Sequence, residues 1–256
     1  LTGTFMPDAV ICGYARTPFG KFRGALSSYS AVELGIKAVE SLLSRTGIDA
    51  SSGIIDQVYM GQVLQAGAGQ APARQVALGS GMPYSTPCTT INKVCGSSLK
   101  AVMIAATEIR GGVSELVIAG GMESMTNAPR FVRGARKGES IPYKSLVSIL
   151  SYDGLTDAYS GEMMGNTGET CALEYGISRG ESDAYALRSH KLSIEAWENG
   201  WMESECFPMD EISIDEGIRP GADLSSLEGL EPVFSRDGQV TAGNASQVSD
   251  GASAVL

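Results

Sequence analysis

The chain has 256 residues, 43% hydrophobic and 19% charged, with a formal net charge of -10. That balance excludes a disordered or fibrous chain and leaves room for one large domain or two modest ones. The acidic excess argues against generic binding to nucleic acid or anionic membranes, and with no apolar run of about 18 residues and no basic-then-apolar leader, neither a membrane span nor a secretory signal is expected.

Five cysteines (Cys12, Cys88, Cys95, Cys171 and Cys206) are widely scattered without a C-x-x-C pair. They fit neither a disulfide framework nor a zinc site, so a cytoplasmic protein without a bound metal is expected, with at least one thiol free to work. Met6-Pro7 reads as a native start, which leaves Leu1 to Phe5 as a cloning remnant. Glycine is the compositional outlier, at 32 residues against a usual ~7%, and implies many tight turns and close backbone approaches.

In chain order, Ala9 to Tyr14 is an apolar run ended by Arg16-Thr17-Pro18 and reads as a buried strand. Ser30 and Glu33 form a capping box, and Val32, Gly35, Ile36, Val39 and Leu43 follow at helical spacing until Gly47 stops the helix. Val58 to Val63 reads as a strand, Ala71 to Leu78 as a helix, Cys88 to Ile91 as a strand, and Gly96 to Arg110 as a long helix, apolar on most sides and so expected to be deeply buried. Glu115 to Ala119 is a further strand. Strands alternating with helices at this spacing indicate βα units on a mostly parallel sheet.

After Gly120-Gly121 loops rich in Gly, Pro and Ser take over around one clear helix, about Glu181 to Asn199, entered through a second capping box at Ser178 and Glu181. The pattern reads as an inserted segment. Ala252 to Leu256 has the look of a strand beginning. Charge is uneven: the 12 acidic residues between Glu195 and Asp237 face only Arg219 and Arg236. Arg130, Arg133, Arg136, Lys137 and Lys144, offset by Glu139, make a basic island that suits a phosphate, an acidic neighbour or a solvated loop.

The chemistry concentrates at Ile91-Asn92-Lys93-Val94-Cys95-Gly96-Ser97-Ser98, where a strand turns into a helix with the cysteine expected in its first turn. Free N–H groups and the positive end of the helix dipole favour a thiolate there and can hold a developing oxyanion. Gly96 clears the way for an incoming carbonyl. The alternative is a buried structural cysteine, the reading that fits Cys88 and Cys12. A nucleophilic cysteine needs a base, and His190, the one histidine, sits in a charged helix where a solvated surface role fits better. The base is then a carboxylate or lies outside these 256 residues.

Five segments in order resemble the N-terminal half of the thiolase family, the acetyl-CoA C-acetyltransferases and 3-ketoacyl-CoA thiolases: Ala15 to Phe22, Asn92 to Ala101 (NKVCGSSLKA), Gly120 to Met125 (GGMESM), Asp153 to Asp157 with Met164-Gly165, and Thr241 to Gly251 (TAGNASQVSDG). The resemblance implies a thiolase-like layered α/β fold, a βαβαβαββ half with a mixed five-stranded sheet. Residues 1–120 and 244–256 would form the core, and 121–243 an inserted loop domain for coenzyme A binding and oligomerisation. It implies that Cys95 attacks an acyl-CoA thioester to give an acyl-enzyme, and that its backbone N–H contributes to an oxyanion hole. A second acetyl-CoA, deprotonated at its methyl group, then attacks the acyl carbon; the reverse is thiolysis of a 3-ketoacyl-CoA. Leu155, Arg219, Ala242 and Ser246 would contact coenzyme A, with Met164 beside the acyl group, and no cofactor is implied beyond the thioester substrate.

Three of these positions also make physical sense alone, each with a plainer alternative. Arg219 suits an adenine face or a phosphate, or a surface salt bridge; Ser246 lies among small residues that admit a thin pantetheine arm, or simply make a turn; Met163 and Met164 suit an acyl pocket or a core. The family's activating histidine, acid/base cysteine and asparagine motif belong to a C-terminal half absent here. A C-terminal half or second subunit, in a homo- or hetero-oligomer (dimer or tetramer), is therefore the expected partner, with the basic island as a candidate interface. Met163 stands where short-chain members often have histidine and Gly168 where alanine is usual, which leaves acyl length open. Two rivals stand beside this reading: a ketoacyl synthase relative acting on carrier-protein thioesters, and a non-catalytic assembly subunit.

Overall fold

The computed structural model describes residues 8–210 and 212–256; Leu1 to Phe5 and the Met6-Pro7 read as a start lie outside them. In chain order the elements are β1 (Tyr14–Arg16), β2 (Gly20–Lys21), α1 (Ala31–Thr46), β3 (Gln57–Gly61), α2 (Pro72–Gly79), β4 (Cys88–Ile91), α3 (Ser97–Arg110), β5 (Val117–Ser124), β6 (Arg130–Phe131), β7 (Val147–Ser148), α4 (Met164–Tyr175), α5 (Arg179–Glu198), α6 (Leu224–Glu228) and β8 (Ser249–Val255). The chain divides into two compact units, one of residues 8–129, 204–216 and 248–256, the other of 130–203 and 217–247.

The first unit is built on a mixed sheet in the order β1-β8-β5-β3-β4, with the short β2 also pairing with β8. β3 runs parallel to β4 and β5, whereas β8 is antiparallel to both β5 and β1. This is the βαβαβαββ arrangement expected from the resemblance. α1 starts where Ser30 and Glu33 exchange capping bonds and ends at Gly47, whose φ of 70° supplies the left-handed turn. α1 and α2 cover one face of the sheet: Leu34, Val39, Leu42 and Val76 pack with Val58, Met60, Ile118, Met122 and Ala254 in one apolar cluster. Tyr59, Ala101, Ala105, Val117 and Ala119 form the smaller cluster on the face that α3 covers.

Two expectations need correction here. The first strand is not Ala9 to Tyr14 but Tyr14–Arg16, because its partners Val255, Ala254 and Ser253 on β8 set the register; Val10 and Ile11 are exposed, and so is Cys12, expected in the core. α3 is not buried all round: it buries Ser97, Ala101 and Ala105, while Leu99 and Met103 are 68% and 52% exposed. The first unit as delimited by its contacts runs to residue 129 and resumes at 248. β5 runs on to Ser124, Thr126 N–H bonds the Asp250 carboxylate at 2.9 Å, and Phe22 N–H bonds the Val248 carbonyl. Residues 204–216 rejoin the first unit through Arg16, which pairs with Glu205 at 2.6 Å and Asp215 at 2.8 Å. Burial opposes the Arg16 charge, but those two hydrogen-bonded carboxylates outweigh it and hold its pKa above the usual guanidinium range.

In the second unit β6 and β7 pair antiparallel, and α4 precedes α5, so the inserted segment holds more helix than the one expected. α5 starts at the capping box of Ser178 and Glu181.

Candidate active site

Cys95 sits on the turn from β4 into α3, and its side chain is exposed. The helix begins at Ser97 with Gly96 as N-cap, so Cys95 stands one residue before the cap and not in the first turn. Val94 adopts φ 49°, a conformation that a β-branched residue holds only against strain of order 1–3 kcal/mol, and one typical of functional turns.

What holds that strain is local hydrogen bonding. Asn92 Oδ1 accepts from Val94 N–H at 2.9 Å, and Asn92 Nδ2 donates to the Val63 carbonyl at 3.4 Å. Ser97 Oγ accepts from Lys93 N–H at 2.8 Å and donates to the Val94 carbonyl at 2.6 Å. No side chain caps α3, so its positive end is left facing the turn that carries Cys95. Beyond Asn92, Glu123 accepts the N–H groups of Val63 and Leu64 at 2.8 and 3.2 Å. Burial raises the Glu123 pKa, the two N–H bonds pull it back, and Asp250 adds to the rise. Sequence reasoning missed Asn92 and Glu123 as supports; the clue was their place inside the NKVCGSS and GGMESM segments.

Cys12 is also exposed, but Cys88 and Cys206 of the first unit are not. The Cys88 thiol is half-buried and donates to the Thr86 carbonyl at 3.2 Å, with its pKa raised by burial. Cys206 is buried, which pushes it up to about 11. Cavities of about 650 Å³ beside Cys12, Arg45 and Leu256, and about 480 Å³ beside Gln62, Gln75 and Asn127, are not lined by Cys95.

The remaining site residues named from the resemblance all fall in the second unit. Leu155 and Met164 are brought together, Met164 N–H bonding the Leu155 carbonyl at 2.8 Å. Met163 and Met164 are 38% and 41% exposed, so the core alternative for that pair does not hold. Ala242 and Ser246 are exposed on one tight loop in which Thr241 N–H bonds Asn244 Oδ1 at 2.8 Å and Gly243 N–H bonds Thr241 Oγ1 at 3.1 Å. Asn244 Nδ2 donates to the fully buried Asp183 at 2.9 Å, and Arg179 pairs with the same carboxylate at 2.7 Å. Glu169 accepts the N–H groups of Gln239 and Val240. Two helices thus pin the loop through carboxylates; the signal was the i,i+4 pair Arg179/Asp183.

Arg219 is exposed, and its backbone N–H meets His190 Nδ1 at 3.4 Å. His190 is half-buried, not solvated, and burial together with the Arg219 charge lowers its pKa. In the basic island, Arg130 lies over Tyr143 and Arg133 over Phe131 and Tyr152, so two of its cations are engaged with rings. Among the described residues no cluster of His, Cys, Asp or Glu is arranged to hold a metal ion, and no helix is long and apolar enough to cross a membrane.

A βαβαβαββ unit carrying an exposed cysteine on a strained strand-to-helix turn is the class of structure that the resemblance anticipated. The Thiolase, N-terminal domain model matches residues 9–256, and the chain belongs to the thiolase family. It is 44% identical to acetyl-CoA acetyltransferase 1 of Arabidopsis thaliana over 97% of this chain and 62% of that protein. It is also 44% identical to an acetyl-CoA acetyltransferase of Pseudomonas aeruginosa over 98% of this chain and 66% of that one. Among solved structures, a thiolase from Ascaris suum in complex with coenzyme A superposes with a TM-score of 0.89 at 37% identity, covering 97% of this chain and 65% of that chain. The chain thus spans about two thirds of the length of these relatives.

Proposed function

We propose that this chain is the nucleophile-bearing part of an acyltransferase that condenses two acetyl-CoA molecules to acetoacetyl-CoA, or cleaves 3-ketoacyl-CoA in reverse. The observation that carries the proposal is Cys95, exposed on the turn that Val94 strains, at the uncapped start of α3. Its sulfur attacks the thioester carbonyl, forming the acyl–Sγ bond as the C–S bond to coenzyme A breaks and the coenzyme A thiolate departs. The methyl carbanion of a second acetyl-CoA then attacks the acyl carbon and releases Cys95 as thiolate, its proton having passed to a base. Oriented N–H groups at the turn stabilise the oxyanion.

Leu155, Arg219, Ala242 and Ser246 are proposed to hold coenzyme A and Met164 to flank the acyl group. Support comes from the pinned loop that presents Ala242 and Ser246, from the Leu155–Met164 backbone pairing, and from the Ascaris suum relative solved with coenzyme A. The base and second oxyanion site are proposed to come from a C-terminal polypeptide corresponding to the remaining third of the relatives, in an oligomeric enzyme. The exposed apolar residues Leu99 and Met103 of α3 support that need for cover. The five free cysteines fit a cytoplasmic enzyme.

Mass spectrometry after incubation with acetyl-CoA or acetoacetyl-CoA, with a C-terminal thiolase polypeptide supplied, tests this directly. The expected result is an acetyl group on the Cys95 peptide, lost in Cys95→Ala. Equal labelling of Cys95→Ala overturns the nucleophile, and labelling only from carrier-protein thioesters moves the substrate to that class.

A further inference from the structure

We propose that the cross-strand pair Gly61 and Gly121, acting through Ser97 and Ser98, is a positioning notch that sets the reactivity of Cys95; this rests on the reading of Cys95 as nucleophile. Gly61 on β3 and Gly121 on β5 lie opposite each other in register. A Cβ on Gly61 would fall 2.6 Å from the Ser98 nitrogen and 2.7 Å from the Ser97 carbonyl carbon, and one on Gly121 would fall 2.7 Å from both Cβ and Oγ of Ser98. Real Cβ contacts are essentially never that short. Two adjacent strands have therefore each given up a side chain at one spot, and the first turn of α3 rests in the gap against bare backbone.

The consequence reaches Cys95 through one residue. Ser97 is 4% exposed, and its hydroxyl clasps Lys93 N–H and the Val94 carbonyl. The helix start pressed into the notch is thus the same structure that closes the turn on either side of Cys95 and keeps Val94 at φ 49°. Lifting the first turn by a few tenths of an ångström loosens the clasp, lets Val94 relax, and moves the sulfur relative to the helix start it is held against. The two glycines are not equivalent. At Gly121 the nearest obstacle is the Ser98 side chain, which can be removed, with the Gly61 carbonyl oxygen behind it at 3.3 Å; at Gly61 the nearest obstacles are backbone, which cannot be removed, with Ser97 Cβ behind them at 2.8 Å.

The test alkylates the chain, with the C-terminal thiolase polypeptide supplied, with iodoacetamide at neutral pH, maps each cysteine by mass spectrometry, and follows Cys95 relative to Cys12, an exposed thiol in the same unit. In Gly121→Ala the Cys95:Cys12 ratio is expected to fall about tenfold at neutral pH. The double variant Gly121→Ala/Ser98→Gly is expected to return to within about twofold of the parent, whereas Gly61→Ala/Ser98→Gly stays low. Labelling of the buried Cys206 reports loss of fold; should a glycine variant unfold, Ser97→Ala, which adds no volume, is expected to lower the same ratio with Cys206 still protected. A ratio unchanged in Ser97→Ala and in whichever glycine variants fold overturns the notch, as does rescue of Gly61→Ala by Ser98→Gly. With that polypeptide supplied, an unaltered chain whose Cys95 reacts no faster than Cys12 defeats the nucleophile reading itself, so the two failures are distinguishable.

Discussion

On one face of the main sheet, Leu34, Val39, Leu42 and Val76 of α1 and α2 meet Val58, Met60 and Ile118 with none of these side chains exposed. On the other face α3 offers Ala101 and Ala105 to Tyr59, Val117 and Ala119, and near its start it rests on the bare backbone of Gly61 and Gly121. Large side chains bury more apolar area, at roughly 25 cal/mol per Å², so the α1/α2 face contributes most of the unit's stability. Small side chains bring backbone close to backbone, so the α3 face contributes geometry at the turn bearing Cys95. One sheet therefore separates the stabilising task from the positioning task by residue size alone.

Deleting a large side chain from the α1/α2 face gives the largest effect. Leu42 is fully buried, and Leu42→Ala removes both its transfer energy and its packing, so urea unfolding should show a loss of about 2–5 kcal/mol. A loss under about 1 kcal/mol would mean that this face is not the main source of stability. The α3 face answers a different probe. Tyr59 donates to Glu108 at 2.5 Å, and Ser114 donates to the same carboxylate at 3.1 Å. Tyr59→Phe should cost about 1.5 kcal/mol, the net worth of a hydrogen bond to a charged acceptor. Burial, then the bond to Glu108 and its charge, raises the Tyr59 pKa to about 12, above the unfolded value of about 10. A raised folded pKa means that the contribution is fully present below about pH 10 and lost as pH climbs through about 12. The stability gap between the parent and Tyr59→Phe should therefore narrow across that window; a gap that widens would place the phenolate, not the phenol, in the folded state.

The same division explains what the sequence disclosed. α1 and α5 were readable because Ser30/Glu33 and Ser178/Glu181 are local devices, complete within four residues. The β4-to-α3 turn was readable for the same reason, since a strand, a glycine and a helical run are adjacent in the chain. The first strand was misplaced because its register comes from β8, more than 230 residues away. α4 went unseen because Gly165 and Gly168 hide its helical pattern; Gly165 is needed where a Cβ would fall 2.1 Å from the Phe234 ring. The return of 204–216 depends on Arg16 meeting Glu205 and Asp215, and a charge pair so distant leaves no periodic trace. Around the turn, the bond from Asn92 to the Val63 carbonyl and those from Val63 and Leu64 to Glu123, and in the second unit that from Asn244 to Asp183, join residues that only folding brings near.

Two smaller effects sharpen the contrast. Ser30→Ala removes the hydroxyl that accepts Glu33 N–H at 3.2 Å, and an N-cap loss of about 1 kcal/mol is expected by urea unfolding. No loss would mean that the Glu33 carboxylate, which also receives Ser30 N–H at 2.7 Å, closes the cap alone.

The smallest effect is the most telling. Leu99 is 68% exposed on α3, so in the isolated chain Leu99→Ala removes almost no buried area and should change stability by less than about 0.5 kcal/mol. The same leucine-to-alanine change thus spans the molecule's range, from several kcal/mol at Leu42 to nearly nothing at Leu99, with burial as the only variable. If Leu99→Ala costs as much as Leu42→Ala, the α3 face is covered in solution, and sedimentation at several protein concentrations would show an association that the substitution weakens. An unchanged sedimentation coefficient beside a large loss would instead require Leu99 to pack within the chain, against its 68% exposure.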